Sequence, residues 1–103
     1  MRRAVAVIYA RGQSQENISA QVATLKSRIR NDGSVFRGKN LAFTDIKPST
    51  EGLTALLTAI ERDLKGVIYI SYTSLRPEEK TAVKSAIRRA YIYGLSAIVC
   101  DLP

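Results

Sequence analysis

Four short apolar runs punctuate the chain, and three are rich in β-branched side chains: Ala4–Ala10, Val67–Tyr72 and Leu95–Cys100. The fourth, Leu41–Thr44, is shorter and weaker. A strand that reads apolar on consecutive positions has both faces buried, and that is the property of a parallel sheet covered on two sides. Helical patterns separate the runs. Ile18, Val22, Leu25 and Ile29 recur at spacings of 4, 3 and 4 and predict a helix over residues 15–31. Ser14 is placed to cap its start, and Asn31-Asp32-Gly33 to stop it. Leu53, Leu56, Leu57, Ile60 and Leu64 predict a second apolar helix face between Pro48-Ser49-Thr50-Glu51 and Lys65-Gly66. A third helix starts around Ser74–Glu79, turns Val83, Ile87, Ala90 and Tyr91 inward, and stops at Gly94. The order is β-α-β-α-β-α-β. We expect an α/β fold: one domain, residues 1–103, with a four-stranded, mainly parallel sheet flanked by helices.

The chemistry is bounded by an absence. The chain has no histidine and one cysteine. Ser-His-Asp and Cys-His nucleophiles, His-ligated zinc and two-His-one-carboxylate iron are therefore excluded within it. Cys100 sits in an apolar run and reads as a reduced, buried thiol, in keeping with a cytoplasmic protein. No apolar stretch approaches the ~20 residues of a membrane span. No Walker loop or dinucleotide glycine fingerprint occurs. We expect no metal and no cofactor.

The charge leaves room for a polyanionic partner. The net charge is +7, and it is uneven: residues 1–50 carry nine basic against three acidic side chains, residues 51–103 seven against six. A basic face on the first half is consistent with nucleic acid and equally with a merely soluble basic protein, and the charge alone leaves both open. A second basic stripe, Lys80, Lys84 and Arg88 with Arg89 beside it, marks the third helix; it reads as a solvated helix face, with contact to phosphate or an acidic partner as the alternative.

Ligands of open parallel sheets bind at the carboxyl ends of the strands. Here those ends carry Arg11–Ser14, Asp45–Lys47, Thr73–Arg76 and Asp101. Two roles are open to Arg11. Its planar fork suits a phosphate, and it also suits a structural ion pair with Asp45. Ser14, Thr73 and Ser74 are open to two roles as well: hydroxyls at a site, or caps and turns.

Several segments, in order, resemble the catalytic domain of the serine recombinases, the resolvase/invertase group. They are Tyr9-Ala10-Arg11, Gln21-Val22 with Leu25-Lys26, Phe43-Thr44-Asp45, Gly52-Leu53 with Leu56-Leu57, Val67–Ile70 and Ile98–Asp101. The resemblance implies a serine that attacks a DNA phosphate, with arginines and an aspartate holding that phosphate and neither histidine nor metal required. The family continues into a dimer helix and a DNA-binding domain beyond the part that the resemblance covers, so the resemblance implies either a fragment or a stand-alone derived domain. The chain departs from the family at the chemistry. The family places serine two residues after its first arginine; here that position is Gln13, and Ser14 follows it. The family's Leu-Asp-Arg-Leu reads Tyr72-Thr73-Ser74-Leu75 here, with Arg76 next. One lost clamp donor costs about 100–1,000-fold in rate.

The resemblance thus leads us to expect a recombinase-like domain that has lost strand cleavage. It would bind DNA or a partner, through Arg11, Lys47 and Arg76 toward phosphate. Self-association or a recombinase subunit is the expected protein contact. The alternative is an active recombinase with Ser14 as nucleophile and Arg11, Asp45 and Arg76 assisting. A third reading is a small α/β protein-interaction module with no DNA role.

Overall fold

The computed structural model describes residues 4–62, 64–72 and 77–101. Thr73, Ser74 and Arg76, all candidates from the sequence, lie outside the described residues. The elements run β1 (Ala6–Gly12), α1 (Gln15–Asn31), a short 3-10 turn (Lys39–Leu41), β2 (Ala42–Ile46), α2 (Glu51–Glu61), β3 (Val67–Tyr72), α3 (Pro77–Ile92) and β4 (Ser96–Asp101). The four strands form one parallel sheet in the order β2-β1-β3-β4. This is the α/β layout expected from the alternating runs.

Strand alternation sorts the two faces. Val7, Tyr9, Ile68 and Ile70 pack under α2 and α3 with Leu53, Leu56, Ile60, Val83, Ala86 and Ala90. Ala6, Ile8, Tyr69 and Cys100 pack under α1 with Leu25 and Ile29. Each fully buried aliphatic side chain contributes about 1.5–3 kcal/mol relative to exposure. The two covered faces explain why β1 shows no polar alternation: it is buried along its whole length.

Three boundaries and one helix face differ from the sequence pattern. β1 runs two residues further, because Arg11 and Gly12 still pair with Asp45 and Ile46 of β2. β2 likewise continues through Asp45 to Ile46. α2 stops at Glu61 rather than near Lys65, and the Leu64 N–H turns back to the Ala59 carbonyl while its side chain still packs on the core. In α3 the inward face is Val83, Ala86 and Ala90, so Tyr91 lies off to the side and is 58% exposed. Its hydroxyl points to the Ala97 carbonyl on β4. Among the described residues, no helix is long and apolar enough to cross a membrane.

Candidate functional site

The strand order reverses direction between β1 and β3. The chain leaves β1 through α1 on one face and β3 through α3 on the other. A crevice therefore opens outside the carboxyl ends of these two strands. Arg11 stands at its edge. Being two residues beyond Tyr9, its side chain falls on the α2/α3 face.

That side chain is buried, and its Nε and Nη1 are engaged with protein. Nε donates to Glu79 Oε2 at 3.2 Å, and Nη1 donates to the Ser49 carbonyl at 2.6 Å. Nη1 also lies 3.5 Å from Asp45 Oδ2 and 3.4 Å from the Tyr9 hydroxyl. Burial works to lower the Arg11 pKa, but the hydrogen bonds it donates to Tyr9 and Glu79, with their electrostatic attraction, outweigh it and the pKa moves up. The guanidinium stays charged throughout.

Asp45 is the second centre. Its Oδ2 accepts from the Tyr9 hydroxyl at 2.7 Å and from the Leu53 N–H at 2.9 Å; Oδ1 accepts from the Gly52 N–H at 2.7 Å. It thereby satisfies the free amide donors at the start of α2, where a negative charge is favourable. Gly52 is needed for this approach, because a Cβ there would collide with the Thr44 carbonyl and crowd Asp45. Burial, followed by the hydrogen bond to Asp45, pushes the Tyr9 phenol well above its ordinary range.

The opposite face of the same strand ends carries a neutral network. Gln21, buried in α1, donates from Nε2 to the Arg11 carbonyl at 3.0 Å and to Asn17 Oδ1 at 2.9 Å. Its Oε1 accepts from the Ser71 hydroxyl at 2.7 Å. Gly12 lies directly beneath, and a Cβ there would run into Asn17 and Gln21.

The structure thus brings Arg11 and Asp45 together and leaves Ser14 apart from them. Ser14 is the N-cap of α1, exposed, with its hydroxyl accepting from the Asn17 N–H at 3.1 Å. Gln13, the residue at the family's serine position, is exposed, and its N–H reaches Asn17 Oδ1. Lys47 sits with Nζ 3.9 Å from Glu79 Oε2. A cavity of about 310 Å³ lies beside Arg11, lined in part by Pro48, Leu53, Glu78, Glu79 and Val83.

Sequence reasoning missed Tyr9, Gln21 and Glu79 as members of this cluster. Glu79 had a usable signal. It opens the helix that follows β3, and the carboxyl end of β3 adjoins that of β1 in a parallel sheet. Among the described residues, no three His, Cys, Asp or Glu side chains gather to hold a metal ion. No family model, no curated protein and no solved structure matches this chain.

Proposed function

We propose that the chain is a resolvase-like serine recombinase domain that does not cleave, and acts in DNA recombination as a DNA-binding module. The order of the short motifs from Tyr9-Ala10-Arg11 to Ile98–Asp101 supports the family reading. One observation carries the loss of cleavage: the Arg11 guanidinium is already held between Asp45 and Glu79. A clamp for a scissile phosphate needs cationic charge in excess, aimed at an empty position. Among the described residues, two carboxylates flank one guanidinium, and Lys47 adds one further positive charge. The Ser14 hydroxyl is meanwhile engaged by the start of α1.

The reading is tested by incubating the 103-residue chain with supercoiled plasmid and with duplex fragments, then quenching in denaturant. We expect no protein-linked DNA ends from the wild type or from Ser14→Ala, and reversible binding to the duplex that weakens with salt. A covalent adduct that disappears in Ser14→Ala would overturn the loss of cleavage. Absence of any DNA binding would favour the protein-interaction module instead.

A further inference from the structure

Among the described residues, most of the first half's basic side chains do not surround Arg11. They gather at the other end of the sheet. α1 runs back along β1, so its last turns lie at the strands' amino ends. The loop that follows is tied there by Val35, whose carbonyl accepts from the Ala6 N–H and whose own N–H donates to the Ala4 carbonyl. Exposed Lys26 and Arg30 on α1, with exposed Arg37 and Lys39 on the following loop and turn, belong to this pole. The one nearby acid on these segments, Asp32, is bound by Arg28 at 3.1 Å and by the Tyr69 hydroxyl at 3.0 Å. The carboxyl pole has the opposite character, with Asp45, Glu78 and Glu79 around Arg11. β1 spans seven residues, so the two poles stand about 20 Å apart at ~3.3 Å per residue.

An open hollow of about 310 Å³ marks the basic pole, lined by Lys26, Ile29, Arg30, Ser34, Val35 and Phe36. Phe36 packs on the core beneath α1, and Lys26 Nζ lies 5.4 Å from its ring centroid. The ring face is thus covered by a cation, which suits a phosphate and not a stacked base. The Ser34 hydroxyl is within hydrogen-bonding distance of the Tyr69 hydroxyl, and Tyr69 is buried in β3, so the loop is pinned to the sheet.

We infer that this amino pole, through Lys26, Arg30, Arg37 and Lys39, is the surface that docks on the phosphate backbone of duplex DNA. The inference rests on the DNA-binding reading and gives it a location away from the Arg11 cluster. Backbone docking by separated cations needs no base contact, and it follows the strong local excess of positive charge.

Binding of the full chain to a 30-base-pair duplex is measured from 50 to 200 mM salt. Four phosphate contacts give a log–log slope near −3.6, a loss of roughly 150-fold over that range. In Lys26→Gln/Arg30→Gln the slope should fall to about −1.8, a loss of roughly 12-fold. Both side chains are exposed, and circular dichroism checks that the variant is folded. Lys80→Gln/Lys84→Gln on α3 is the matched control and should leave the slope unchanged. A slope that falls in the α3 variant and not in the α1 variant overturns the assigned pole while the DNA-binding reading stands. A wild type that binds no duplex at all overturns both.

Discussion

Asp45 serves several partners at once: two amide donors of α2, the Tyr9 hydroxyl and the Arg11 guanidinium. Its removal leaves a buried arginine short of an anion and two helix amides without an acceptor. Breaking a buried ion pair from one side costs about 3–5 kcal/mol, a large share of the roughly 5–15 kcal/mol that holds a domain together. Asp45→Ala should therefore lower the urea midpoint sharply. Asp45→Asn should cost less, because its amide oxygen still accepts from one α2 N–H. Equal losses in the two variants would mean that the charge matters more than the cap. The same residue explains why the Arg11 environment reads as architecture more than as a clamp.

At the scale of elements, the joint between α1 and the sheet depends on a close approach at Gly12. Asn17 and Gln21 of α1 lean over it, and Gln21 bridges β1 to Ser71 on β3. Gly12→Ala forces those side chains away and should cost about 1–3 kcal/mol by overpacking. Asn17→Ala in the same chain should return part of that loss, which a double-mutant cycle in urea would read as coupling. Simple additivity would show that the strain lies in the strand backbone instead. The elements themselves were legible because each is a local matter. Stripes at 18, 22, 25 and 29 and the continuous runs at 4–10 and 67–72 depend on neighbours a few residues apart. The site was less legible. The expectation for Arg11 left phosphate and Asp45 open, and its contact with Glu79 spans 68 positions of sequence. No local pattern reports that distance. Likewise, Tyr91 fits the apolar stripe of α3 by spacing, yet it is exposed because Val83, Ala86 and Ala90 set the buried face.

The whole molecule is a compact body with a radius of gyration of 12.6 Å, polarised along its strands. Among the described residues, Asp45 and Glu79 are tied up with Arg11 at one pole, and exposed Lys26, Arg30, Arg37 and Lys39 lie at the other. Its alkaline limit is a property of the interior. Tyr9, Tyr69 and Cys100 all have raised pKa values with burial as the leading cause. For each, the folded state favours the neutral form. The resulting stability is present in full below the unfolded pKa and is lost as pH climbs from there through the folded value. For Tyr9 the ordinary value is 10.0, so stability should decline above about pH 10. Tyr9→Phe should be less stable near neutrality, having lost the bond to Asp45, and should show a shallower decline between pH 9 and 11 in denaturant titrations. An unchanged slope would assign the alkaline loss to Tyr69 and Cys100.

The sequence by itself determined the α/β class, the alternation of elements and the exclusion of histidine chemistry within the chain, and it offered Ser14 as a cap. Periodicity, capping and residue inventory are properties of short stretches, and the chain states them directly. Only the tertiary structure decided that Arg11 is shared between Asp45 and Glu79, and that the basic surplus faces away from it. Charge balance at a site depends on which distant segments the sheet order brings together. Here a parallel sheet places the start of α3 over the end of β1, and the last turn of α1 at the opposite pole.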